Sequence, residues 1–167
     1  MFIEHVDTIF YILCNAAVNG DIVDDELLAI ASDADINGPR SSIVLATPLF
    51  IAASRGHTKL VRQLIQSTPN LDVNRPGTKN GSTALFVAAE HGHSDIVRLL
   101  IHHKDIDVNR GLFSPLYVAA QNGHLDAVKA LLEHPDTVRN VFTNGHTPYS
   151  ISVLHGHTDV ADFLLSI

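Results

Sequence analysis

The sequence predicts an all-α solenoid of helix–turn–helix units joined by β-hairpin-like loops, and three observations lead to this fold class. An eleven-residue segment recurs four times without a gap, each copy carries helix start and stop signals, and apolar residues at helical spacing follow it. The four copies are TPLFIAASRGH (47–57), TALFVAAEHGH (83–93), SPLYVAAQNGH (114–124) and TPYSISVLHGH (147–157). Their starts lie 36, 31 and 33 residues apart. A repeat of this period indicates short units that bury a common core only by stacking.

The first helix of each unit is bounded by residues that favour helix ends. Its N-cap is predicted at a hydroxyl residue: Thr47, Thr83, Ser114 or Thr147. Three units add proline at the first helical position, where no amide hydrogen is needed: Pro48, Pro115 and Pro148. Glycine then ends the helix, because it adopts a positive φ cheaply: Gly56, Gly92, Gly123 and Gly156. A fainter copy, ILCNAAVNGD (12–21), adds a first unit.

A second helix is predicted directly after each stop. We expect Thr58, Ser94 and Thr158 to cap it, and its apolar residues recur at helical spacing. The triplets DIN (35–37), DVN (72–74) and DVN (107–109) follow, with turn residues suited to a hairpin that leads into the next unit. We therefore predict one domain, 1–167, of five units with approximate bounds 7–42, 43–78, 79–109, 110–142 and 143–167.

The composition limits the function classes. With 167 residues, 46% of them hydrophobic, the chain has enough apolar surface for a packed core. A net charge of −7 argues against a general nucleic-acid binder. Residues 1–39 hold eight acids and no base, consistent with a polar N-terminal cap, and no secretory signal is visible. One cysteine and no apolar run long enough to span a bilayer predict a cytoplasmic or otherwise intracellular monomer without membrane insertion.

The pattern T-P-L-x-x-A-A…G-H with a D-V-N tail resembles the ankyrin repeat over roughly residues 7–167, and the first and last units are atypical. The resemblance implies a non-catalytic scaffold without cofactors, which binds a protein partner through the concave surface of hairpin tips and first helices. The alternative is the targeting or substrate-recruiting domain of a larger enzyme or of a secreted bacterial effector, acting in a host cell. At the C-terminal end we see no polar cap, so we expect the native chain to continue or this end to pack against something.

Mapping the contact positions of the family onto this sequence gives candidate protein-binding residues. They are Ile43, Val44, Arg55, Lys79, Asn80, Glu90, His91, Arg110, Phe113, Gln121, Asn122, Asn144, His146 and His155. Leu112 and Phe113 stand where turn chemistry expects glycine or polar residues, so they either form an exposed interaction patch or tuck against the stack. The aromatic residues Phe50, Phe86 and Tyr117 recur at one position, either as a ladder packed between units or as partly exposed anchors. Arginines could add a mild positive stripe that attracts an acidic partner: Arg55, Arg62, Arg75, Arg98 and Arg110.

The histidines and the cysteine do not predict catalysis or a metal centre. Residues His57, His93, His124 and His157 recur once per unit, too far apart to converge on one ion, and the resemblance implies a structural role near the turn between helices. A metal-binding solenoid is the competing reading, and it requires stoichiometric zinc. Cys14 lies in an apolar stretch and is predicted to be a buried structural thiol. No nucleophile elbow, phosphate loop or zinc-protease motif is present in the sequence.

Overall fold

The structure is a computed structural model that describes residues 3–38 and 46–167. Helices dominate this part of the chain. They are α1 (Ile3–Asn19), α2 (Asp25–Ile30), α3 (Asp33–Asn37), α4 (Pro48–Ser54), α5 (Thr58–Ser67), α6 (Ala84–Glu90), α7 (Ser94–Ile101), α8 (Pro115–Gln121), α9 (Leu125–Leu131), α10 (Pro148–Leu154) and α11 (Thr158–Leu165). Within the described ranges there is no strand, and the one isolated bridge joins Thr143 and His146.

The helices stack in two layers, as the repeat pattern predicts. The first helices α1, α4, α6, α8 and α10 pack in chain order, and the second helices α5, α7, α9 and α11 pack in order behind them. Pairs of alanines in the first helices are fully buried and let the layers approach closely, Ala88–Ala89 and Ala119–Ala120 among them. The solenoid expectation is therefore confirmed.

The predicted caps of the first helices are confirmed. In each case the side-chain oxygen accepts the backbone N–H three residues on, for example from Phe50 to Thr47 Oγ1 at 3.1 Å and from Tyr117 to Ser114 Oγ at 3.1 Å. All three prolines occupy the first helical position.

The predicted caps of the second helices are wrong. Thr58, Ser94 and Thr158 are the first residues inside α5, α7 and α11, and the N-cap is the preceding histidine, whose side chain caps nothing. The backbone hydrogen bonds show why the N-cap lies one residue earlier than predicted. The histidine carbonyl already accepts a helical bond, as from Val61 N to His57 O at 3.0 Å, and this leaves its ring free to turn toward the preceding unit.

Each repeated histidine ring bonds the preceding unit. Its Nε2 lies within hydrogen-bonding distance of a backbone carbonyl near the end of the previous first helix, so Nε2–H is the donor. The pairs are His57–Val18 O (3.3 Å), His93–Ser54 O (3.4 Å), His124–Glu90 O (3.0 Å) and His157–Gln121 O (3.0 Å). Each ring also covers a stop glycine: a Cβ on Gly92, where φ is 73°, would lie 2.7 Å from His124 Nδ1. The histidines therefore join units.

Asparagine side chains form a second set of links. The amide of Asn74 donates to Asp105 O at 2.6 Å and accepts from Asp107 N at 2.8 Å, so it clamps the next loop through both its atoms. Asn37 does the same one unit earlier and Asn109 one unit later. The DIN and DVN triplets thus supply inter-unit clamps as well as turns.

Both ends of the stack differ from the interior. In the first unit, α1 begins before the predicted bound, and the second helix is divided into the short α2 and α3. Four acids of this unit are exposed, Asp21, Asp24, Asp25 and Glu26, whereas Asp35 is buried. Tyr11 and Ile22 are 66% and 63% exposed, so the N-terminal surface is mixed rather than simply polar. At the other end Leu165 and Ile167 are exposed and nothing lies within 4 Å of a Cβ placed on Gly156. In the described part of the chain, no helix is both long enough and apolar enough to cross a bilayer.

Candidate binding groove

A groove of about 290 Å³ runs over the first-helix layer at its centre. Its floor comes from three first helices: Phe50 of α4, Phe86 and Val87 of α6, and Val118 of α8. Its sides come from two loops, which contribute Thr78, Asn80 and Ser82, and Leu112 and Phe113. Glu90 and Gln121 close the groove one helical turn beyond Phe86 and Tyr117. The groove is thus apolar at its base, and its sides combine polar residues with the apolar pair Leu112 and Phe113.

The first loop is built around Gly77. Its N–H donates to Ser82 O at 2.8 Å, which closes the loop as a hairpin, while the Thr78 hydroxyl accepts from Ser82 N at 3.2 Å. A Cβ on Gly77 would lie 2.2 Å from the Phe50 ring, so only glycine lets the loop rest on that ring. The loop is therefore held directly over the groove floor.

In the second loop, neighbouring residues have opposite environments. The Phe113 ring packs on the core and stacks with Tyr117 at a centroid distance of 5.9 Å, whereas Leu112 is 68% exposed. The structure thus divides the pair: Phe113 tucks against the stack and Leu112 is an exposed apolar side chain, whose role in binding stays a prediction. The three recurring aromatic residues differ in exposure. Phe86 and Tyr117 are buried as a packed ladder requires, while Phe50 is half-buried at the groove.

Four of the candidate binding residues meet in the groove: Asn80, Glu90, Phe113 and Gln121. Five more lie in the same units without lining it. They are Arg55, Lys79, His91, Arg110 and Asn122, all exposed.

Two of those five already have structural partners. Asn122 Nδ2 donates to Glu90 O at 2.8 Å, and His91 Nδ1 lies 2.9 Å from Val87 O. These bonds hold the ends of α8 and α6 and reduce the freedom of both side chains to meet a partner.

The candidates of the last unit lie away from the groove. Asn144 occupies the tip of the loop closed by Thr143 and His146, with a φ of 50°, and His155 is exposed at the end of α10. Ile43 and Val44 lie outside the described residues.

The arginines do not form one stripe. Arg62 and Arg98 lie in the second-helix layer, where they line a separate cleft with Asp95 and His102, and Arg98 Nε pairs with Glu133 Oε1 at 3.3 Å. Arg55, Arg75 and Arg110 lie on the side of the first helices and loops. The five arginines are therefore divided between the two layers of the stack.

Mapping by family position missed the apolar floor. Val87 and Val118 stand three residues before Glu90 and Gln121, and so on the same helical face. That spacing could have identified them once Glu90 and Gln121 had been chosen. The side chain of Phe50 gave a weaker signal, because an aromatic residue at this position fits a core ladder equally well.

Two other kinds of side chain bear on chemistry, the potential metal ligands and the cysteine thiol. Within the described ranges, no group of three or more His, Cys, Asp or Glu could hold a metal ion. Cys14 lies on α1, far along the chain from the groove, and burial raises the pKa of its thiol to about 11. A thiol with that pKa is a poor nucleophile at neutral pH, and its side chain is half-buried where the sequence predicted full burial.

The comparison with known families rests on most of the chain. A family described as ankyrin repeats (3 copies) has a sequence model that matches residues 13–111 and 110–167. No curated protein matches this chain. Together with the paired helices in two layers, the match agrees with the resemblance inferred from the repeated motif. The chain belongs to the ankyrin repeat family.

Proposed function

We propose that this protein is a non-catalytic interaction scaffold that binds a segment of a partner protein in the central groove. Ankyrin repeats are generally protein–protein interaction modules and generally not catalysts. The observation that carries the proposal is the apolar groove itself, with exposed Leu112 beside half-buried Phe50 and Phe113. Exposed apolar residues rimmed by polar ones are typical of interaction sites.

The alternative, a recruiting domain within a larger enzyme or effector, would use the same groove. The two proposals share their contact residues. They differ in whether the bound partner is brought to a catalytic or effector part of the same protein. A monomer inside a cell, with its thiol reduced, is part of both proposals.

Two leucines of similar exposure provide the test. Leu112 lies in the groove at 68% exposure, whereas Leu154 lies at the end of α10 at 63% exposure and outside it. Wild type, Leu112→Ser and Leu154→Ser would each serve as bait for affinity capture from a lysate. The recovered protein would then be purified and its Kd measured by calorimetry.

We expect Leu112→Ser to weaken binding about tenfold or more, because the loss of an interface anchor costs about 1.4 kcal/mol or more. Leu154→Ser should bind as the wild type does. Equal loss in both variants, or equal binding by all three, would place the contact surface elsewhere. Thermal unfolding of each bait checks that the fold is retained.

A further inference from the structure

Charge is segregated between the two sides of the stack. We define the groove face as the four first helices α4, α6, α8 and α10 with the loops that lead into them, residues 46–57, 75–93, 110–124 and 141–157. Its bases are Arg55, Arg75, Lys79 and Arg110, and its only acid is Glu90, so its net charge is +3. The rest of residues 46–167 holds six bases and nine acids, a net charge of −3. A protein with a formal charge of −7 therefore presents its groove on a positive face.

Three of these cations lie on the elements that form the groove and are available to a partner. Lys79 stands between the lining residues Thr78 and Asn80, and Arg110 stands two residues before Leu112. Arg55 is the C-cap residue of α4, the helix that contributes Phe50 to the floor. All three are exposed, and within the described ranges none of them forms an ion pair. Arg75 differs, because its Nη2 donates to Gly38 O at 3.1 Å.

The single acid restricts where the charges of a partner can lie. The Glu90 carboxylate closes one end of the groove and has no ion pair among the described residues. It repels a carboxylate placed on the apolar floor, whereas Lys79 and Arg110 at the loops attract one. The arrangement favours an apolar side chain in the groove with carboxylates beyond it.

A polypeptide fits these features better than a nucleic acid does. Among the aromatic residues that line the groove, Phe86 is buried, the Phe50 ring lies against Gly77, and one face of Phe113 stacks on Tyr117, so none offers an open platform for successive bases. Exposed Leu112 instead offers an aliphatic contact. A polypeptide, unlike a nucleic acid, combines an apolar side chain with carboxylates a few ångströms away.

We propose that the groove binds an acidic segment of the partner protein, in which carboxylates flank one aliphatic or aromatic side chain. The apolar side chain contacts Leu112 and Phe113, and the carboxylates meet Lys79, Arg110 and Arg55. This inference rests on the proposed function and names the chemical class of its partner.

The test is selection from a displayed library of random peptides of about twelve residues, a length that spans the groove in extended form. The wild type and Leu112→Ser are the baits. We expect the wild type to enrich peptides with an excess of Asp and Glu around an apolar residue, and Leu112→Ser to lose them. Neutral or basic peptides that also need Leu112 would overturn the acidic class and leave the proposed function standing. Absence of any enriched peptide that depends on Leu112 would contradict both.

Charge reversal with a matched control tests the same point in solution. Arg55→Glu/Lys79→Glu/Arg110→Glu changes the groove face, and Lys59→Glu/Arg62→Glu/Lys104→Glu changes net charge equally on exposed residues elsewhere. For one selected peptide, we expect the first variant to bind about tenfold or more weakly and the second to bind within about twofold of wild type. Equal loss in both variants would show general attraction and overturn the site.

A competition experiment tests whether a nucleic acid or an anionic membrane, rather than an acidic peptide, is the ligand of the groove. A single-stranded oligonucleotide and vesicles with anionic lipid would be added separately to the peptide complex at about 150 mM salt. We expect neither to displace the peptide. Displacement by either at concentrations similar to unlabelled peptide would overturn the proposal in favour of that ligand.

Discussion

At the scale of single residues, the environment of a side chain depends on what the neighbouring units place beside it. Leu112 and Phe113 are adjacent and similar in hydropathy, yet only Phe113 finds an aromatic partner in the stack. Cys14 is another case: its neighbours in sequence are apolar, but its acidity is set by burial in the folded first unit. Local sequence therefore predicts which side chains are apolar better than it predicts which are covered.

The Cys14 thiol gives a prediction for pH dependence. Burial raises its pKa from 9.0 to about 11, so the rate of alkylation by iodoacetamide should rise with a midpoint near pH 11 in the native protein. In denaturant the midpoint should return to about 9. A native midpoint at or below the denatured value would contradict the predicted burial.

The same shift has a consequence for stability. A thiol whose pKa is higher in the folded state favours that state below the unfolded pKa, and loses this contribution as pH rises through the folded pKa. The free energy of unfolding should therefore fall between about pH 9 and pH 11. The fall should be smaller in Cys14→Ala, which is measured by urea unfolding at each pH.

At the scale of the elements, the loops are structural parts of the stack as well as connections. Each D-V-N loop bonds the next one through an asparagine amide, and the loop at Gly77 rests on the Phe50 ring. The helices fix the spacing of the units, and these loop contacts fix the shape of the groove rim.

Asn74→Asp tests the asparagine clamp. The change keeps the oxygen that accepts from Asp107 N but replaces the donor to Asp105 O with a second oxygen. We expect a loss of about 1–3 kcal/mol in the free energy of unfolding, because a carbonyl loses its donor and faces a carboxylate. Asn140→Asp is the control, since Asn140 is exposed at the corresponding position of the fourth unit and carries the same charge change. Equal losses would mean that charge alone, and not the clamp, explains the effect.

At the scale of the whole molecule, stability depends on joints between units, and the joints are equivalent except at the ends. The ring of each repeated histidine lies over the stop glycine of the unit before it, from Gly20 to Gly123. Gly156 has the same positive φ, 79°, but nothing lies within 4 Å of a Cβ placed there. The stop glycine is therefore covered by a histidine ring in the preceding units but uncovered in the last unit.

A pair of glycine substitutions measures that difference. Gly156→Ala should cost about 1–2 kcal/mol, the strain of a left-handed alanine. Gly92→Ala should cost about 1–3 kcal/mol more, because its Cβ also meets the His124 ring. Urea unfolding gives both values. In a His124→Ala background the extra cost at Gly92 should disappear, which separates the ring contact from the weaker stability of a terminal unit. An unchanged cost in that background would refute the contact.

The sequence by itself determined the repeat, the helix pairs, the first-helix caps and the stop glycines. These features depend on bonds within about four residues, as from Phe50 N to Thr47 Oγ1. Only the tertiary structure decided the histidine joints, the asparagine clamps and the lining of the groove. Their partners lie about one unit away in sequence, as His93 does from Ser54 at 39 residues and Asn74 from Asp105 at 31 residues. The position of such a partner depends on how the units stack, so it cannot be predicted from a local sequence pattern.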